Sequence, residues 1–171
     1  MASPDVPMEV AGVRMDVPTG QPVVVLRELS GARHLPIWVG TNEATSIVFA
    51  MQGIKPPRPL THDLLISVVD ALGHHISRVV IHTVEDTVFH AAIEFDNGTV
   101  VDARASDALA VAVRTKSQIV CAQSVLEDSG LVLSADGELR EQPAPDQAEA
   151  DAQVREFRDF LDHVDPDDFQ T

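Results

Sequence analysis

Tyrosine is absent from this chain, and Trp38 is its only tryptophan. Aromatic residues make up 4% of the composition. The core must therefore come from Val, Leu, Ile and Ala, and a broad aromatic surface for stacking nucleobases is missing. A single cysteine, Cys121, stands in the apolar run QIVCAQSVL. No intramolecular disulfide can form, and zinc held by several thiolates is excluded. A lone thiol in such a run reads as a small buried side chain in a reducing, cytoplasmic setting. The start MASPDVPMEV has neither a basic opening nor a long apolar stretch, so no secretory signal is expected. No apolar run is long enough to span a bilayer, so no membrane partner is expected either. A phosphate-cradling glycine loop and a Gly-x-Ser-x-Gly nucleophile motif are also lacking.

Positive charge is scarce. The net charge is -15, which by itself argues against a nucleic-acid partner. Its distribution softens that argument. Residues 127 to 171 hold 14 acidic and 3 basic side chains, a net of -11. Residues 1 to 126 hold 13 acidic and 9 basic, a net of -4, so the acidity belongs mainly to the tail. Hydrophobic residues make up 44% of 171, a globular composition with enough chain for one domain and its core.

Periodicity predicts strands over residues 9–17, 23–29 and 34–40, with Pro36 marking an edge or a bulge in the third. Residues 42–52 change to helical spacing, with Asn42 as N-cap and Gly53 as stop. A stiff loop, IKPPRPL, leads to a second helix capped by Thr61 and ended by Gly73. Leu64, Leu65, Val68, Val69 and Leu72 form its apolar stripe, read as core-facing. Strands follow over 75–84, 88–96 and 99–105, the last two joined at Asn97-Gly98. His82 and His90 fall on neighbouring strands and are candidates to pair. Ser106 caps a third, alanine-rich helix, and residues 118–126 read as a buried strand. The sum is an α+β domain over 1–126, with a mixed sheet and three helices. An acidic linker over 127–148 is predicted, with a small hairpin near Asp136-Gly137. A C-terminal amphipathic helix and tail occupy 149–171, with an apolar seam at Val154, Phe157, Leu161 and Val164.

Polar residues gather at the helix starts: Glu43, then His62 and Asp63, then Asp107 with Asp102 and Arg104 on the strand leading in. Taken singly, each acid reads as a cap or a partner of the helix dipole. Together they suggest more. Asp102 and Arg104 share one face of a strand. Paired carboxylates near a histidine can hold a hard ion such as Mg²⁺ or Mn²⁺, and arginines can clamp phosphate. That inventory suits metal-assisted phosphodiester hydrolysis, and it equally suits a structural ion-pair network. The prolines of PPRPLTHDLL are expected to bring Arg58 to the same place.

Three ordered motifs, LPIWVGTNEATSI, PRPLTHDLL and VDARASDALAVAVR, resemble the bifunctional nuclease domain family. The resemblance spans roughly residues 8 to 126, and the tail FRDFLDHVDPDDF is similar to the extension of bacterial members. It implies a small α+β domain that self-associates, with RNase and DNase activity attributed to plant members. Ala105 departs from the proline often found there. Two readings follow. One is a nuclease acting on RNA or DNA, with His62, Asp63, Asp102 and Asp107 catalytic, Arg58 and Arg104 on phosphate, and Asp102, Asp107 and Glu43 on the metal. The other is a non-catalytic bacterial interaction or regulatory module whose polar cluster is structural.

Overall fold

Alternation along DVPMEVAGVRMD and the β-branched run of QPVVVLRE give two paired strands, β1 (Asp5–Asp16) and β2 (Gln21–Glu28). The computed structural model describes residues 5–133 and 139–141. After β3 (Arg33–Trp38) come two helices, α1 (Thr41–Met51) and α2 (Thr61–Ala71). A meander follows: β4 (Ile76–Glu85), β5 (Val88–Phe95) and β6 (Val100–Arg104). Then come α3 (Ala105–Thr115), β7 (Gln118–Ala122), α4 (Gln123–Ser129), β8 (Leu131–Leu133) and β9 (Leu139–Glu141). The strands form one sheet in the order β6-β5-β4-β7-β1-β2-β3-β8-β9. Only β4 and β7 run parallel among the described strands. A parallel pair needs a long crossover, and the segment carrying α3 supplies it. This is the expected α+β architecture with a mixed sheet.

Alanines set the depth of the core. Ala105, Ala108, Ala110 and Ala112 let α3 lie close to the sheet, while Leu109 and Val111 fill the space between. Val79 and Ile81 of β4 and Ala91 and Ile93 of β5 meet them. Ala44 and Ile47 of α1 join the same cluster of helices. Each fully buried Leu or Val contributes about 1.5–3 kcal/mol relative to exposure. Among the described residues no helix is long and apolar enough to cross a membrane.

Four features differ from the sequence expectation. Residues 118–126 are not one strand, because the chain leaves the sheet at Ala122 and α4 begins, so the described helices number four rather than three. A short apolar run fits a strand and a buried helix equally well. The helix starts lie one or two residues earlier than expected, at N-cap positions Gly40, Leu60 and Arg104 instead of Asn42, Thr61 and Ser106. His82 and His90 do not pair, since His90 stands opposite Thr83 and a register shift falls at His82. Last, the stripe of α2 faces out, apart from the half-buried Val69. The helix contains no buried residue, and Leu72 is 72% exposed.

The reason for that reversal is polar. His62, Asp63, Ile66 and Val69 are the half-buried positions near the inner side of α2, at spacings of three and four. Turning Leu64, Leu65, Val68 and Leu72 inward would carry His62 and Asp63 away from their partners. It would strand a buried arginine, and breaking such a pair costs about 3–5 kcal/mol. Pro36 sits where β8 no longer pairs with β3, so the outer side of β3 is locally an edge there. β8 and β9 pair as a hairpin around the predicted Asp136-Gly137 turn, whose residues lie outside the described ones. The C-terminal helix predicted over 149–171, with its seam, also lies outside the described residues.

Candidate functional site

Arg104 ends β6 and occupies the N-cap position of α3, three residues before Asp107. Its Nε donates to Asp107 Oδ2 at 2.7 Å, and its Nη2 donates to Oδ1 at 3.0 Å. The same Nη2 lies 3.3 Å from Glu43 Oε1 in the first turn of α1. Gly40 makes room for that carboxylate, because a Cβ there would collide with it. The Arg104 side chain is 66% exposed, and its Nη1 has no partner among the described residues. The guanidinium is therefore pinned along one edge and open along another.

Asp107 also accepts from His62. The His62 Nε2 to Asp107 Oδ1 distance is 3.1 Å, and His62 Nδ1 lies 2.9 Å from Ser46 Oγ. Arg114 Nη2 donates to that Ser46 oxygen at 3.0 Å. The Asp107 carboxylate can only accept, so Nε2 carries the proton to it, and in the neutral imidazole Nδ1 is left to accept from the Ser46 hydroxyl, whose oxygen accepts from Arg114. Arg104 beside Asp107, reinforced by His62, holds this carboxyl below the usual range despite partial burial.

Asp63 faces a different partner. Arg114 Nε donates to Asp63 Oδ1 at 2.7 Å, and the Leu60 N–H donates to Oδ2 at 3.0 Å. Burial alone would raise the Asp63 carboxyl, but these hydrogen bonds outweigh it and hold it low. Arg114 Nη1 completes the set by donating to the Ala110 carbonyl at 2.9 Å. The order Asp107–His62–Ser46 is that of an acid–base–hydroxyl triad. Ser46 is only 7% exposed, however, and its oxygen already accepts from Arg114. It positions the imidazole and offers no nucleophile to a substrate.

Two adjoining grooves meet at Arg104 and Glu43. One, of about 520 Å³, passes Pro59, His62 and Asp107. The other, of about 540 Å³, passes Trp38, Phe89, His90 and Asp102. Of the residues singled out in the sequence, Glu43, His62, Arg104 and Asp107 converge. Asp63 joins Arg114 instead of Asp107. The Asp102 side chain is exposed in the second groove and makes no hydrogen bond or ion pair among the described residues, while its backbone pairs with β5. Arg58 is exposed, lines neither groove and has no ion pair among the described residues. The stiff loop thus brings Pro59 and Leu60 to the site and leaves Arg58 out of it.

A divalent ion needs several carboxylate oxygens free to converge. Here both Asp107 oxygens serve Arg104, one of them also His62, and Glu43 serves Arg104 as well. No group of three or more His, Cys, Asp and Glu side chains is placed to hold a metal among the described residues. As folded, Asp102, Asp107 and Glu43 do not make a ligand set for Mg²⁺ or Mn²⁺.

Ser46, Arg114, Trp38, Phe89 and His90 were not singled out as site residues from the sequence. Three of them had a signal: Trp38 and Ser46 sit inside LPIWVGTNEATSI, and Arg114 ends VDARASDALAVAVR. The interlocked side chains all fall within these motifs or PRPLTHDLL, and the comparisons with known proteins follow the same stretch. The model of the bifunctional nuclease domain matches residues 24–134. Two Mycobacterium tuberculosis proteins, uncharacterized proteins Rv1829 and MT1877, are each 40% identical over 170 residues, covering 95% of this chain and 97% of their own. A network tying α1, α2 and α3 together through three motifs, within a match covering most of the chain, leads to one conclusion: this chain belongs to the bifunctional nuclease domain family.

Proposed function

We propose that the chain binds single-stranded RNA or DNA across the two grooves and cleaves a phosphodiester bond beside Arg104. The open Nη1 edge of Arg104 carries this reading. Arginine presents donors in a fixed fork that matches phosphate oxygens. Asp107 and Glu43 orient that fork in advance, which reduces the entropy lost on binding. His62 is the imidazole beside this arginine, and it serves as the proton carrier by exchanging its Asp107 hydrogen bond for the substrate. No step is assigned to a metal, because Asp107 and Glu43 are engaged by Arg104.

Purified protein freed of contaminating nucleases tests this on labelled RNA and DNA oligonucleotides, with chelator and with Mg²⁺ or Mn²⁺ in parallel. Cleavage lost in Arg104→Ala and His62→Gln, with melting temperature kept for Arg104→Ala, supports the proposal. Wild-type protein that cleaves under none of these conditions removes it.

A second reading has its own supporting observation. Each acidic group of the interlocked cluster already has a cationic partner, as in a structural clamp between helices. On that reading the chain is a non-catalytic interaction or regulatory module. Asp107→Asn separates the two, because a clamp loses stability while cleavage per folded molecule stays at background.

A further inference from the structure

Trp38 is 50% exposed at the end of β3, in a chain with no tyrosine and no other tryptophan. It lies in the second groove with Phe89, His90 and the unpartnered carboxylate of Asp102, and Arg104 closes that groove on the side of the proposed cleavage site. The turn between β4 and β5 forms part of its rim. There Asp86 has φ 47 and Thr87 has φ 67, left-handed backbone that a β-branched residue rarely adopts. An exposed ring and an unpaired carboxylate stand beside an arginine with one open edge.

We propose that this groove is a nucleobase subsite, with guanine as its preferred base. The base stacks on Trp38, its Watson–Crick edge meets Asp102, and its phosphate reaches Arg104. An ionised carboxylate only accepts, through two adjacent oxygens. Guanine offers two adjacent donors, N1–H and the N2 amino group, whereas uracil offers one donor between two acceptors. The subsite rests on the reading that Arg104 holds a phosphate of a single strand. It adds a base preference, which that reading does not require.

The sole tryptophan makes the test direct. Wild-type protein is titrated at low salt, with chelator present, against an octamer of uridines and the same octamer with one central guanine. Trp38 fluorescence reports stacking, and anisotropy of a labelled strand reports affinity. Expected are quenching on binding and tighter binding of the guanine-containing strand. Trp38→Leu should weaken binding about 5- to 150-fold, the range for one lost base stack. Asp102→Asn should bring the two strands within about twofold of each other, as expected when base discrimination of this kind is lost. Trp38→Phe, which keeps a ring, should restore part of the affinity. Binding without quenching, or with equal affinity for both strands, overturns the subsite and leaves the phosphodiester reading standing. No binding of either strand by wild-type protein overturns both.

Discussion

Arg114→Ala probes the idea that α2 is held by charge rather than by apolar packing. The Arg114 side chain is only 9% exposed and donates to Asp63, Ser46 and the Ala110 carbonyl. Removing it leaves the Asp63 carboxylate beside a hole and the buried Ser46 oxygen without its strongest donor. Breaking a fully buried pair from one side costs about 3–5 kcal/mol. Asp63 keeps the Leu60 N–H and reaches water, so the cost here falls to about 2–3 kcal/mol. For a chain of this size each kcal/mol lowers Tm by about 2–4 °C, so a drop of roughly 5–10 °C is expected. Urea melts should show a lower midpoint with an unchanged slope. Arg104→Ala is the control: its side chain is mostly exposed, and the loss should stay within about 1 kcal/mol. A loss below about 0.5 kcal/mol for Arg114→Ala, the size seen at ordinary surface sites, would refute the reasoning. Equal losses for the two arginines would refute it as well.

The packing asymmetry makes a second pair of variants informative: Leu109→Ala should cost about 2–5 kcal/mol in urea melts, and Leu72→Ala no more than about 0.5 kcal/mol. Thr87→Gly relieves a two-residue turn that demands positive φ at both positions. Relief of about 1–2 kcal/mol, less up to about 1 for glycine's freedom in the unfolded chain, should give a small rise in thermal stability. Burial pushes the Cys121 thiol up to about 12, so it should resist thiol reagents in the folded protein and react only after denaturation. The Asp63 and Asp107 carboxyls are depressed, so their stabilisation is full above the ordinary aspartate pKa of about 3.9 and disappears as pH falls through the lower folded values. Asp107→Asn should accordingly show a shallower loss of urea midpoint below about pH 4 than wild type, as linkage requires.

The strands and the first three helices were legible because period two and period 3.6 are local properties. Gly20, Gly53, Gly73 and Gly98 all take positive φ at turns or helix ends, and the last three sit where the sequence places stops and a hairpin. What misled was the rule that the apolar stripe of a helix faces the core. In α2 the decision was made by partners distant in the chain, Arg114 and Asp107, and no window of sequence around Leu64 contains them. Asp107 and Asp63 were both visible as acids at helix starts. Which cation each would choose depended on the crossing of α1, α2 and α3, a tertiary fact. The aromatic shortage was read as the absence of a stacking surface. Composition counts rings without locating them, and here the fold leaves the one tryptophan half exposed in a groove.

The way α2 is attached has a consequence for motion. Hydrogen exchange sorts a protein into cooperative units, and units with few buried apolar contacts open first. α2 has no buried residue, whereas α3 is buried along most of its length. The α2 amides should therefore exchange well before those of α3, through an opening that detaches one helix and leaves the sheet intact. His62 travels with that helix, while Arg104 and Asp107 stay on the body. Opening of this one unit would then take His62 away from Arg104 and Asp107, so the population of the assembled cluster would follow the free energy of α2 docking rather than the global stability of the fold.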